Sequence, residues 1–207
     1  MNNPMNKLQF KKIVKLKVCE YWQSQFAAEC ADLSSLCYFN PRRASVLTSH
    51  SIWKYAGGSP YEVNKSIVAA KMLSGRYRTE ALSRHWFGNN SGGFCIMSTC
   101  NNVFGDLEHL LLICPAFKEL RTRLLTYWKQ KICHLKPVLD HFLRLCNGST
   151  NNFVAFLLNP SANSDLLCLT QTYGSFVIEQ TMYLARTFIF SLHREKLKLT
   201  GRWPNYF

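Results

Sequence analysis

Three cysteines and one histidine lie within the twenty residues CIMSTCNNVFGDLEHLLLIC, which run from Cys95 to Cys114. The four donors are Cys95, Cys100, His109 and Cys114, separated by four, eight and four residues. A structural Zn²⁺ ion takes four thiolate or imidazole ligands at the corners of a tetrahedron, and two nearby cysteines reach one ion through a tight loop. The spacing therefore predicts a zinc knuckle. The alternative is a buried apolar helix whose thiols serve only as small core side chains.

Local signals favour a loop followed by a short, interrupted helix around these donors. Gly105 and the asparagines before it allow the chain to fold back. Asp106 is a candidate N-cap for a helix that carries His109, and Pro115 prevents this helix from continuing. Residues five apart in an uninterrupted α-helix point about 140° apart. His109 and Cys114 can therefore share an ion only if the helix is broken at Cys114, and Pro115 predicts that break.

The remaining sequence has the periodicity of helices, with no sustained strand alternation and no internal repeat. The predicted fold class is all-α: an irregular helical bundle with a small zinc-knuckle insertion and no sustained β-sheet. Helices are predicted at 7–31, from Pro60 to a cap at Gly75, at 79–86, 116–131, 137–146 and 151–158, and from about Asp165 or Tyr173 to Lys198.

The chain divides into three predicted segments. Residues 1–59 form a basic N-terminal helix and a docking loop. Residues 60–131 form a zinc-binding region with its knuckle at 95–114, and residues 132–207 form a helical extension with a basic tail.

Positive charge is in large excess, with 25 Lys and Arg against 12 Asp and Glu, a formal net charge of +13. Clustered cations favour polyanionic partners because phosphates release counterions on binding. The sequence therefore favours RNA or DNA as a partner, although a generally basic surface is the alternative. The candidate nucleic-acid-binding residues flank the knuckle: Arg76, Tyr77, Arg78 and Arg84 on one side, and Lys118, Arg121 and Arg123 on the other. Trp86 and Phe87 are further candidates for stacking on bases, or core residues.

Nine cysteines with no secretory signal at the polar, lysine-rich start predict a reducing intracellular compartment, the nucleus or the cytoplasm. No apolar run approaches the ~20 residues of a membrane span. We therefore expect free or metal-bound thiols, no membrane partner and no small-molecule substrate.

One block of sequence resembles a known family. The features are the turn LSGRYRT, the segment ALSRHW, the Cys-Cys-His-Cys order and the run DLEHLLLICPAF. Together they resemble the zinc-binding region that follows the polymerase in non-LTR (LINE-type) retrotransposon reverse transcriptases. The resemblance extends from about Pro60 to Arg123 and is looser in the flanks. It implies one zinc at Cys95, Cys100, His109 and Cys114, and a reverse transcriptase or other retroelement domain as a partner. The gap between Cys95 and Cys100 is longer than the commoner one.

Catalysis is not expected. A polymerase needs paired aspartates to hold two metal ions, but the four aspartates of this chain (Asp32, Asp106, Asp140 and Asp165) are not adjacent to one another. The predicted function is a non-catalytic module that binds zinc and nucleic acid. The alternative is a helical protein-interaction module, a remnant interface of a larger retroelement polyprotein, with core thiols.

Overall fold

The computed structural model describes residues 6–33, 36–39, 49–87 and 92–201, apart from the side chains of residues 85–87. Its α-helices are α1 (Lys7–Asp32), α2 (Ser51–Lys54), α3 (Pro60–Leu73), α4 (Glu80–Phe87), α5 (Lys118–Ile132), α6 (Lys136–Cys146), α7 (Thr150–Leu158), α8 (Ser164–Tyr173) and α9 (Phe176–Leu199). The segment His109–Ile113 is π-helical, and Pro115–Phe117 and Pro160–Ala162 are 3₁₀ turns. Within these residues there is no β-strand, only an isolated bridge between Phe94 and Phe104. The all-α prediction is confirmed.

Helix α9 is the central element of the core. It packs against α3, α5, α7 and α8 and contributes twelve buried residues. A helix that is apolar on most of its faces is stable only when other elements surround it. The core that forms around α9 also includes Cys100 and Cys114. The candidate site is therefore built directly on the helical core.

The predicted helix bounds agree with the structure except near the last helix. Pro60 begins α3, where the Ser59 hydroxyl accepts a hydrogen bond from the Glu62 N–H at 3.2 Å. Gly75 follows α3 with a φ of +66°, as expected of a helix-ending glycine. The predicted start at Asp165 is wrong for α9, because Gly174, with a φ of +84°, separates α8 from α9. A residue in this conformation cannot continue an α-helix.

A buried ion pair joins the region of the knuckle to α9. Lys196 Nζ lies 2.9 Å from Glu80 Oε1, and both side chains are almost fully buried. Glu80 is the first residue of α4, and the N–H of the next residue, Ala81, donates to the carbonyl of Gly105 at 3.2 Å. The pair therefore fixes α4 against α9, and α4 in turn fixes one end of the knuckle.

Helix α1 contrasts with this core because almost all of it is exposed. It begins at a capping box in which the Asn6 side chain accepts from the N–H groups of Leu8 and Gln9. Cys30 is its only buried residue, whereas Phe10 and Trp22 are more than half exposed. Among the described residues, no helix combines the length and apolar character that crossing a membrane requires.

Candidate metal centre

The first two donors are brought together by a short folded-back segment. The Cys95 N–H donates to the Val103 carbonyl at 2.8 Å, and the Gly105 N–H donates to the Gly93 carbonyl at 2.9 Å. The chain reverses within the stretch that the first bond encloses, through Asn102. The φ of Asn102 is +57°, a left-handed conformation that Asn and Gly tolerate best. The predicted loop is confirmed, and it places both cysteines at one end of the knuckle.

The other two donors are brought together by a π-turn. The Asp106 side chain accepts from the His109 N–H at 2.7 Å, as predicted for an N-cap. The chain then widens, and the Cys114 N–H donates to the His109 carbonyl at 2.7 Å, five residues back. This turn returns Cys114 to the side of His109. The predicted break is present as well, since Cys114 is extended (φ −50°, ψ 119°) before Pro115, but the π-turn itself was not predicted.

All four predicted donors meet in one cluster. One ligand atom from each of Cys95, Cys100, His109 and Cys114 lies within 4.8 Å of the other three. Cys114 Sγ is 4.0 Å from Cys95 Sγ and 3.4 Å from Cys100 Sγ. Two sulfurs bound tetrahedrally to one zinc ion, each at 2.3 Å, would lie about 3.8 Å apart. The observed separations lie on either side of this value, so the cluster has the dimensions of a metal site.

His109 supplies independent evidence that the cluster fits an ion. Its side chain is buried, and neither ring nitrogen has a hydrogen-bond partner. Burying an imidazole without partners is costly, so such groups are rare in folded proteins. Burial also lowers the pKa of His109, which keeps the ring neutral, the form that binds metals. A metal ion bound to one of these nitrogens would satisfy the ring.

Burial opposes the thiolate form of the cysteines, whereas nearby backbone N–H groups favour it. Burial raises the pKa of the Cys95 thiol and raises that of Cys114 to about 12. Backbone N–H groups of Met97 and Ala116 donate to Cys95 and Cys114 respectively and lower these pKa values in part. Such N–H groups stabilise negative sulfur, and a bound divalent cation would complete the deprotonation.

Two of the predicted nucleic-acid-binding residues are buried. Only 8% of Tyr77 is exposed, and its hydroxyl lies 3.0 Å from His193 Nδ1, so it is a core residue. Arg121 was predicted to point outward from α5, yet it too is only 8% exposed. Burial lowers the pKa of Arg121, and the nearby Cys114 and Cys100 raise it in part. The prediction fails for Arg121 because its guanidinium lies inside the protein, near Cys114 and Cys100, rather than in water.

The remaining predicted cations are exposed around the knuckle: Arg76, Arg78, Arg84, Lys118 and Arg123. Arg78 Nε donates to the Ser83 hydroxyl at 3.3 Å, and Arg84 donates to the Gly92 carbonyl at 3.1 Å. The side chains of Trp86 and Phe87 lie outside the described part of the structure.

Sequence reasoning missed two exposed phenylalanines on the knuckle. Phe94 and Phe104 are 41% and 47% exposed, and they are the two residues of the isolated bridge. The sequence does indicate their exposure, because they stand beside Cys95 and Gly105 in a segment of little more than ten residues. A segment this short has too little volume to bury two aromatic rings.

Comparisons of the chain with protein-family models, with curated proteins and with solved structures return no match. The cluster is therefore interpreted from its own geometry. All four corners of a tetrahedron would be filled by protein side chains, which is the arrangement of structural metal sites.

Proposed function

We propose that this protein is a non-catalytic helical domain, stabilised by one structural Zn²⁺ ion, that binds single-stranded RNA or DNA through the exposed face of its knuckle. The observation that carries the proposal is the exposure of Phe94 and Phe104 beside Arg84, on a segment that also provides the metal donors Cys95 and Cys100.

The three side chains form one continuous surface. Residues paired across an antiparallel bridge project their side chains to the same face, which places Phe94 beside Phe104. A Cβ atom added to Gly93 would lie 3.0 Å from the Phe104 ring and 3.3 Å from the Arg84 side chain. The ring and the arginine stem therefore meet over the bare backbone of Gly93.

This surface has the chemistry of a single-strand binder. Unpaired bases stack on exposed aromatic rings, and each stacked base contributes about 1–3 kcal/mol. Arg84 is exposed beside the rings and donates to the Gly92 carbonyl at 3.1 Å, so its positive charge lies where the phosphates of a stacked strand would pass. Stacking does not require a particular base, so the proposed binding tolerates many sequences.

Zinc is the metal that suits the cluster best. Three sulfurs and one imidazole in a tetrahedral set favour zinc over the oxygen-seeking Mg²⁺ and Ca²⁺. Its proposed role is structural: the knuckle has few backbone hydrogen bonds of its own, so the ion would fix the loop that presents the two phenylalanines.

A binding titration tests the nucleic-acid proposal. Fluorescence anisotropy with a labelled single-stranded RNA, a single-stranded DNA and a duplex of the same length gives the dissociation constants at about 50 mM salt, where phosphate contacts are strongest. The double variant Phe94→Ala/Phe104→Ala should bind the single strands at least about tenfold more weakly. The control Phe176→Ala removes an exposed phenylalanine of α9 and should bind like the wild type. Wild-type protein that binds no strand, or a double variant of unchanged affinity, contradicts the proposal.

The retroelement origin is part of the same proposal. It is supported by the order of the four ligands and by the run DLEHLLLICPAF, which resemble the zinc-binding region of non-LTR reverse transcriptases. On this proposal the natural partners are a retroelement nucleic acid and a reverse transcriptase or other retroelement domain. Co-purification with such a polymerase domain, expressed as a separate chain, is the direct test.

One observation favours a second function, that of a protein-interaction module. The exposed face of α1 carries large apolar side chains, including Leu8, Phe10, Tyr21 and Trp22. Sedimentation at rising protein concentration would detect association through this helix. A monomer at every concentration argues against this second function, whereas zinc content and strand binding test the first.

A further inference from the structure

We infer that Arg121 is a positioning residue of the metal centre: its buried guanidinium neutralises the three-thiolate, one-histidine site and orients the sulfurs. This inference rests on the proposed zinc site and adds a fifth side chain to it.

The position of Arg121 is the first part of the argument. The residue lies in the first half of α5, one 3₁₀ turn beyond Cys114, and is almost fully buried. Among the residues described here, no carboxylate lies within ion-pair distance of it. Burial lowers the pKa of Arg121 and the nearby Cys114 and Cys100 raise it in part, while Arg121 in turn contributes to lowering the pKa of His109. A buried arginine is normally paired with an anion. Here the available anions are the thiolates.

The charge of the site supplies the second part. Three thiolates carry three negative charges, Zn²⁺ carries two positive charges and a neutral imidazole carries none, so the filled site has one net negative charge. An uncompensated buried charge is costly in a low-dielectric interior. The single positive charge of Arg121 balances it. With a divalent ion bound and all three cysteines deprotonated, the site and its arginine together would be neutral.

The hydrogen-bonding capacity of Arg121 supplies the third part. Its NH1 nitrogen is buried and has no hydrogen-bond partner. Thiolate sulfur accepts N–H hydrogen bonds, and the planar guanidinium fork can address two neighbouring acceptors, which a lysine ammonium does with less geometric definition. Cys100 and Cys114, whose sulfurs are 3.4 Å apart, are suitable acceptors. Groups that orient metal ligands in this way typically change metal affinity by 10–100-fold when removed.

The experiment compares Arg121→Gln and Arg121→Lys with the wild type and with the matched control Arg144→Gln, an exposed arginine of α6. The zinc dissociation constant is measured by competition with a chromogenic chelator. We expect Arg121→Gln to bind zinc about 10–100-fold more weakly, Arg121→Lys to recover part of that loss, and the control to match the wild type. The absorption of bound Co²⁺ in its sulfur-to-metal bands should also shift in Arg121→Gln, because the electron density on the sulfurs changes.

Unfolding of the metal-free proteins separates this role from ordinary packing. Without a bound ion the negative charge of the zinc–thiolate site, which Arg121 would balance, is absent. Arg121→Gln should therefore leave the stability of the metal-free protein unchanged or raised, while that of the zinc-bound protein falls. If Arg121→Gln lowers both stabilities equally, or binds zinc within twofold of the wild type, the inference is overturned. Arg121→Lys that binds as weakly as Arg121→Gln also overturns the charge argument. Should Arg121→Gln not fold at all, the comparison of Arg121→Lys with the wild type decides. A wild type that binds no zinc refutes the zinc proposal itself.

Discussion

The backbone N–H of Cys114 donates to the carbonyl of His109 at 2.7 Å, so two of the four donors are joined by a single π-turn. In an α-helix the backbone hydrogen bond joins residues four apart, and residues five apart point to different faces. Because the His109 carbonyl here accepts from the residue five positions later, the turn is wider and returns Cys114 to the side of His109. π-Turns are rare and are often found at functional sites. In this protein the turn has a definite purpose, which is to aim an imidazole and a sulfur at one point.

Zinc content is the first prediction. Purified protein should contain about one zinc ion per chain by elemental analysis, and His109→Ala should contain much less. Because metal binding and local folding are coupled, this variant should also unfold at a lower temperature, and a strong chelator should lower the wild-type value towards it. The control His134→Ala replaces an exposed histidine and should retain the ion. Fully folded wild type without metal would contradict the prediction.

Gly105 gives a second prediction, at the contact between the knuckle and α4. A Cβ added there would lie 2.9 Å from Glu80 Cβ, closer than real Cβ atoms approach, and 3.1 Å from the Cys95 nitrogen, a tight contact. Gly105→Ala should therefore lower the free energy of unfolding by about 1–3 kcal/mol and weaken zinc binding, because Cys95 must shift. Chemical denaturation measures the first effect and chelator competition the second.

Gly58→Ala is the matched control for Gly105→Ala. No atom lies within 4 Å of its added Cβ, so its stability and zinc affinity should equal those of the wild type. Equal behaviour of the two alanine variants would show that the close approach at Gly105 is relieved at no cost.

The buried pair of Lys196 and Glu80 gives a third prediction. Removing one partner of a buried pair leaves the other charge uncompensated and typically costs about 3–5 kcal/mol. Lys196→Met should therefore destabilise the protein strongly, and adding Glu80→Leu should restore part of the loss. The exposed pair of Lys17 and Glu20, at 2.7 Å, is the control, since Lys17→Met should leave the stability almost unchanged. Similar losses for the two lysines would contradict the prediction.

The dependence of stability on pH is the fourth prediction, and it concerns His193. Burial, with smaller effects from Lys196 and Lys71, lowers the pKa of His193 to about 4, and its Nδ1 lies 3.0 Å from the Tyr77 hydroxyl. An unfolded histidine has a pKa near 6.5, so the unfolded chain takes up the proton first as the pH falls. The stability supplied by the neutral ring is complete above about pH 6.5 and is lost between there and about pH 4.

The measurement for His193 is the difference in free energy of unfolding between wild type and His193→Gln at each pH. Metal release that is common to both proteins cancels in this difference. The advantage of the wild type should shrink on acidification by an amount on the order of 2 kcal/mol, allowing for the part of the ring that meets solvent. Parallel stability curves would mean that His193 titrates normally in the folded protein.

Much of the fold is predictable because the residues that begin and end its helices act locally. Pro60, Gly75 and Asp106 act through their own backbone conformation or through the N–H groups next to them, so their effects can be read from neighbouring residues. Gly174 was harder, because a single glycine is tolerated inside a helical pattern. Only packing decides that this one adopts a left-handed conformation and divides two helices.

The four donors were predictable, whereas the π-turn that joins two of them and the burial of Arg121 and Tyr77 were not. The order and spacing of the donors indicate a metal site directly, whereas the π-turn depends on how the side chains of this segment pack against the core. Arg121 was misplaced for a related reason. A charged residue on an amphipathic helix normally faces water, whereas the fold buries Arg121 near Cys114 and Cys100. Tyr77 is buried against His193, more than a hundred residues away, whose Nδ1 shares a hydrogen bond with the Tyr77 hydroxyl.

The position of α9 at the centre of the core determines which part of the protein can form first during translation. Every donor of the knuckle precedes Pro115, whereas α9 begins only at Phe176. As the chain leaves the ribosome, the ligand set is complete while the helix that organises the interior has yet to be translated. Nascent chains stalled at increasing lengths should therefore capture zinc before they resist protease. Metal supply in the cell would then act on the folding of this protein during translation.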